Sequence, residues 1–438
     1  MSNTNKYTGK TIINEGIIEV STITNGGVAS PIGASTNASE NLELNGGQLN
    51  YTGGSTTINR GITLGSKGGS ISVANSATTL TTSGRVAGNG KLIKEGLGRF
   101  SFSGANTYTG GTIIRSGSIA LTTDVANSSG LSADTITLQG GSLVMFDSRT
   151  TTNTSTWKLN IPAGSTGTLI TDGNSTIAGF ILGGGTLNYF TNFTSNVLNS
   201  DVSMFAGTIN VTTDAVGGSF GLNHSKGCEN VKINLNNLVT MLYRTTSNIT
   251  IPVGDLTGFS NSGLGAGGTG PCTITWEIGA RNANSSFNGK ITDAQFSGTG
   301  AVAAIRKVGT GIWTLNNSNT YGGGTTIMSG TLMVNNATGS GLGTGAVNVL
   351  AEGTLSGTGS VSGSVTVSEG GVLSPGNGIG TFTINNNVNI QPSGVFLVEI
   401  DKTNVKNDQL NLTGTLTING KLQITSINDI PFAAGDSF

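Results

Sequence analysis

The amino-acid sequence predicts an all-β chain wound as a right-handed parallel β-helix, an elongated rod of roughly 20 coils. Three observations carry that expectation. Short apolar alternations, bounded by turn residues, recur at spacings near 20 residues. Glycine supplies 71 of the 438 residues while only 10% are charged. One longer segment, built around a Tyr, returns three times in the same phase.

The short unit reads apolar-x-apolar, a few turn residues, Gly, x, apolar. It occurs as Leu42/Leu44/Gly47/Leu49, Ile136/Leu138/Gly141/Leu143, Phe180/Leu182/Gly185/Leu187 and Val202/Met204/Gly207/Ile209. Toward the C-terminus it gains one turn residue, as in Val347/Val349/Gly353/Leu355, Val365/Val367/Gly371/Leu373 and Val388/Ile390/Gly394/Phe396. Alternation over so few positions turns one strand face inward. No such strand buries its face alone, so each turn of chain must stack on the previous one. Each coil then consists of three short strands and three turns, and no helix is needed to return the chain. A β-sandwich array would instead show a domain period of about 100 residues.

The longer segment is Asn106-Thr-Tyr-Thr-Gly-Gly-Thr-Ile-Ile-Arg-Ser-Gly-Ser-Ile119, repeated at Asn319–Leu332 and, in shorter form, at Asn5–Ile18. Each copy has Gly two and nine residues after the Tyr, Thr four after it and Ile six after it. Two copies extend upstream: Lys94–Phe102 aligns with Lys307–Leu315, each Lys standing 14 residues before its Tyr. The fixed place of Tyr7, Tyr108 and Tyr321, with Gly110, Gly323, Thr112 and Thr325, predicts structural corners. Three regions follow: a β-helix with these repeats over 1–142, a less regular β-helical stretch with longer loops over 143–297, and repeat-bearing terminal coils over 298–438.

Composition excludes several classes. Average usage is about 7% Gly and about 25% charged. Collagen needs Gly at every third position and much Pro, but Pro numbers only seven. Charge-driven disorder needs high net charge and little apolar content; the net charge is −1 and 35% of residues are hydrophobic. A nucleic-acid partner needs a basic footprint. Abundant Gly disfavours a helix-rich enzyme. No apolar run is long enough for a membrane helix.

The aligned segments resemble the passenger-associated transport repeat, also called the autotransporter-associated β-strand repeat. That pattern runs Lys-x-Gly-x-Gly with alternating apolar residues, then Asn-Thr-Tyr-x-Gly-Gly-Thr, then Gly and an apolar strand. Lys94–Ile119 and Lys307–Leu332 follow it nearly throughout, whereas Asn5–Ile18 lacks the upstream half. In addition, Leu373-Ser-Pro-Gly-Asn-Gly-Ile-Gly, followed by Phe396–Ile400, Asp408–Leu410 and Gly414–Leu422, looks like the last coils of an autotransporter passenger. The resemblance implies a secreted or surface-displayed bacterial protein acting as a stalk or adhesin passenger. Its partner would be a host or environmental surface, with polysaccharide among the candidates. Exposed strand edges at the end coils would favour end-to-end self-association. The start lacks the apolar core of a signal peptide, so the chain reads as a piece lacking its signal peptide and C-terminal anchor.

The alternative class is a carbohydrate-active or carbohydrate-binding β-helix. Such an enzyme needs clustered carboxylates for Ca²⁺ or acid–base work. Glu40 and Glu43 point to opposite faces of an extended chain; Asp401 and Asp408 flank a turn; Asp147, Asp172, Asp214 and Glu277 are scattered. These read as solvated turn and edge residues, and His224 as a polar loop residue. No catalytic, cofactor or metal residue is assigned. Trp276 and Tyr189, with Phe190 and Phe193, stand outside the strict repeat and are candidates for an exposed aromatic contact, with core packing the competing reading. Cys228 and Cys272 form no CxxC, and one His cannot complete a zinc site with them. They are either a disulfide, if the protein is exported, or two unrelated buried thiols.

Overall fold

A computed structural model describes residues 4–121, 131, 135–146, 153–155, 157–172, 175–191, 196–213, 218–222, 228–268, 270–294, 300–427 and 430–436. Asp147, Phe193, Asp214, His224 and the side chain of Asp172 lie outside the described residues. The described chain contains strands and two short 3₁₀ turns, Ser39–Asn41 and Cys228–Asn230. It falls into two compact units, Met1–Gly218 and Ser219–Phe438, and each is a parallel β-solenoid.

In the first unit the chain passes through Thr11–Ile13, Leu42–Leu44, Ile62–Leu64 and Val86–Gly88 on one face. A second face runs from Ile17–Val20 through Gln48–Tyr51, Gly69–Val73, Leu92–Glu95, Thr112–Ile114 and Thr135–Leu138. A third contains Thr79–Thr82, Arg99–Phe102, Ser118–Leu121 and Ser142–Phe146. Every alternate side chain points inward and stacks on its equivalent one coil away. Leu80, Phe100, Ile119, Leu143, Leu169, Tyr189 and Val211 form one such column, all buried.

The second unit repeats the scheme. One face carries Thr273–Ile278, Val302–Lys307, Thr325–Ile327, Val347–Val349, Val365–Val367 and Val388–Ile390. Another carries Ile312–Leu315, Gly330–Val334, Gly353–Gly357 and Val395–Asp401. The third is represented near the C-terminus by Ser360–Val361, Thr381–Ile384 and Gln409–Leu412. Among the described strand pairs the register is parallel except in the hairpin joining Val395–Asp401 to Lys406–Asn407. Parallel pairing by consecutive turns distinguishes this fold from a sandwich, whose hairpins are antiparallel.

The turns are fewer than the roughly 20 expected. A coil takes 18 residues between Val347 and Val365, but 31 between Thr11 and Leu42 and 28 between Val388 and Leu416. The long first turn is an excursion over residues 21–41, gathered by one buried side chain. Arg60 donates from Nε to Thr24 O at 2.8 Å, and from Nη2 to Gly33 O at 2.8 Å and Val28 O at 3.1 Å. A buried cation is tolerated because its donors all find acceptors.

Candidate functional site

The long repeat builds one corner, seen twice in nearly the same form. In the second copy, Asn106–Thr109 runs alongside Val86–Gly88. Thr107 N–H donates to Val86 O at 2.8 Å, Thr109 N–H to Gly88 O at 3.0 Å, and Val86 N–H donates to Asn106 Oδ1 at 2.7 Å. This register turns the Tyr108 ring inward, where its hydroxyl lies 2.7 Å from the buried Thr112 Oγ1. In the third copy Thr320 N–H donates to Ile291 O at 2.9 Å, Ile291 N–H to Asn319 Oδ1 at 2.7 Å, and Tyr321 meets Thr325 at 2.7 Å. Tyr7 and Thr11 keep the 2.7 Å contact in the first copy, although Tyr7 is exposed.

The glycines answer two different demands. Gly110 and Gly323 sit where the preceding coil is nearly in contact: a Cβ would lie 2.3 Å from Gly90 C and 2.4 Å from Ala303 O. Gly117 and Gly330, nine residues after the Tyr, have φ of +59° and +64°, a conformation natural to Gly.

The feature that sequence reasoning missed is what the aligned lysines do. Lys94 occupies an inward position between Ile71 and Ile114, and Lys307 one between Ile278 and Ile327. Both are buried. The Lys307 ammonium donates to Val308 O at 2.7 Å, Gly309 O at 2.9 Å and Ser329 O at 3.2 Å. Lys94 donates to Glu95 O, to Gly96 O at 2.9 Å and to Ser116 O at 3.3 Å. Each lysine thus caps the tight turn that follows it and reaches the turn 22 residues further on. Three donors meet three acceptors, which is the full capacity of an ammonium.

Burial pulls both lysines below the usual lysine range, to about 8; at Lys94 the nearby Glu95 opposes the shift. Unfolded lysine titrates near 10.4. Between those values the unfolded chain holds more protons than the folded one, so stability rises with pH there and is flat below about 8. Burial also pushes the Tyr189 phenol up to about 12 and the Tyr321 phenol above its usual range, so stability falls again above pH ~10 as the unfolded tyrosines ionise. Thermal melts from pH 7 to 12 should therefore show a maximum near pH 10, and a Lys94→Met/Lys307→Met double variant should lose the rising limb. A wild-type midpoint that falls steadily from pH 8 would contradict this.

Other expected site residues land elsewhere. Trp276 stacks between Ile251 and Ile305, and Tyr189 between Leu169 and Val211. Both are wholly buried. Inward strand phase makes them core residues, so of the two readings core packing holds and the exposed aromatic contact does not. Cys228 and Cys272 are separate buried thiols. Cys228 O accepts from Gly254 N–H, just after the strand Ile249–Val253, while Cys272 Sγ lies 3.7 Å from Thr245 O, before it. A five-residue strand spans about 16 Å, far beyond disulfide reach, so the disulfide alternative is corrected as well.

Of the acids expected to be solvated, Glu40 is exposed and Glu43 and Glu277 are partly so, but Asp401 and Asp408 are buried. Asp408 is buried and accepts from Gly380 N–H and Glu399 N–H, both at 2.9 Å, pinning the Pro-Gly-Asn-Gly turn to the next coil. Desolvation raises its pKa. Buried Asp401 accepts from Thr403 and Asn404 N–H within its own turn. Among the described residues no three His, Cys, Asp or Glu side chains gather in metal-binding geometry.

A solenoid whose corners are closed by Asn, Tyr–Thr and Lys in fixed phase defines a class of repeat. Residues 1–20, 92–121 and 305–334 match the passenger-associated-transport-repeat family, so the chain carries three passenger repeats. It is also similar to the Adhesin BmaC autotransporter of Brucella suis biovar 1 (strain 1330), 46% identical over 114 residues. That match covers 26% of this chain and 3% of the relative's length.

Proposed function

We propose that this chain is part of a surface-displayed bacterial passenger, acting as a stalk or adhesive segment that contacts a host or environmental surface. The observation that carries the reading is the recurrence of the passenger repeat as a closed internal corner. The Asn, Tyr and Lys contacts join only neighbouring coils, Asn106 to Val86 behind it and Lys94 to Ser116 ahead. Each coil can therefore fold on the one before without waiting for distant sequence, which suits a chain that emerges progressively from a membrane. The similarity to an autotransporter named as an adhesin supports the same reading.

The test is to place the chain between a secretion signal and an outer-membrane translocator barrel in a bacterial host. Antibody should label intact cells. Latex beads coated with the purified chain should be retained on an epithelial monolayer or a polysaccharide film at least severalfold above albumin-coated beads. Unlabelled cells together with beads that wash off like albumin controls would overturn the proposal.

A further inference from the structure

The second and third passenger repeats share their interior and differ outside, and the difference opens a groove. With Lys94 aligned on Lys307, the outward positions Lys91, Ile93, Thr109 and Ile113 of one repeat correspond to Ala304, Arg306, Gly322 and Thr326 of the other. One side chain is thereby cut to a methyl, one is removed, and two apolar ones become polar. In the third repeat this leaves a depression of about 270 Å³ on the face formed by Thr273–Ile278, Val302–Lys307, Thr325–Ile327 and Val347–Val349. Its floor is Ala304 and Gly322–Gly324; Thr275, Arg306, Thr326 and Asn348 line it with hydroxyl, guanidinium and amide groups. Thr326 is paired with Arg306 on one side and Asn348 on the other, one strand spacing apart.

The charges beside the groove are already engaged. Arg306 Nη1 lies 3.3 Å from Glu277 Oε2. Asp293 Oδ1, behind the floor, accepts from Ala303 N–H at 2.9 Å and Gly322 N–H at 3.0 Å. What the depression offers is a dense set of neutral or neutralised hydrogen-bonding groups over a flat floor of small residues. That suits a ligand rich in hydroxyls and without net charge. Its volume lies just below the ~300–1,000 Å³ of ordinary ligand sites, which limits the occupant to one ring.

We infer that this groove is a binding subsite for a single neutral sugar ring. It deepens the surface-contact reading above by naming the ligand class, and it rests on that reading. A polyhydroxylated ring would hydrogen-bond Thr326, Asn348 and Arg306 and lie on the glycine floor. The test is saturation-transfer NMR on the full chain with a panel of neutral methyl glycosides and a sialic acid glycoside as the acidic arm. At least one neutral glycoside should receive saturation. Ala304→Lys, which restores the side chain that the second repeat carries, and Thr326→Ile should each reduce that signal tenfold or more while the thermal midpoint stays within a few degrees. No neutral glycoside responding, a response from the acidic sugar alone, or a signal unaffected by both variants would overturn the inference. Bead retention without any sugar response would remove the subsite and leave the surface role standing; loss of bead retention would count against the role itself.

Discussion

Replacing Lys307 by Met should destabilise the second unit by roughly 2 kcal/mol or more, the sum expected when two carbonyls lose a charge-assisted donor. Met fills most of the volume but donates nothing. The half-buried carbonyls of Val308 and Ser329 would lose their ammonium donor, while Gly309 O keeps the Ser329 hydroxyl at 3.3 Å; each acceptor left unmet costs about 1–3 kcal/mol. Lys94→Met should act similarly on the first unit. A neutral lysine still has two N–H groups, so high pH does not mimic the substitution. Urea denaturation followed by circular dichroism measures the loss, and amide exchange at Gly309 and Ser329 locates it. A change below about 1 kcal/mol would mean that water replaces the ammonium and that the clasp matters little.

The second large effect separates two buried tryptophans. Trp276→Ala and Trp313→Ala should each cost roughly 3–5 kcal/mol, as for other large-to-small changes in a packed core. Their Phe variants should differ. Trp313 Nε1 donates to Leu256 O at 3.1 Å, whereas the Trp276 indole N–H has no partner among the described residues. Trp313→Phe therefore strands a buried carbonyl, and Trp276→Phe strands nothing. The first should be the more damaging by about 1 kcal/mol or more. Equal losses in the two Phe variants would show that the Leu256 bond carries no net weight.

Much of this architecture was legible because its determinants are local and periodic. Tyr108, Gly110, Thr112 and Gly117 keep their spacing in all three copies since each answers a local constraint, whether a near contact, a left-handed turn or a hydroxyl pair. The buried lysines were legible in principle. Leu92 and Lys94 share a phase, as do Ile305 and Lys307, so strict alternation already turns the lysine inward; charge argued against that reading until the carbonyls were seen. Arg60 carried no such signal, because its acceptors belong to an irregular excursion whose path no period describes. Trp276 and Tyr189 fell outside the repeat but inside the strand phase, and phase decided their burial. The groove emerges only when outward positions of two repeats are compared on stacked coils.

The reach of Lys307 from its own turn to Ser329 also bears on how such a structure yields to force. Tension applied along the stack peels a parallel solenoid one rung at a time, so resistance is set by the rung at the breaking front and not by total length. Other described rungs are joined by ladder bonds, apolar contacts and single side-chain links such as Asn210 Nδ2 to Asn188 Oδ1 at 2.9 Å. Where a lysine clasps two successive rungs, 22 residues of chain, about 75 Å when extended, are held until a charge-assisted cluster gives way. The passenger repeats would then serve as stops along a seam, limiting how far a pulled chain unravels before it can rewind.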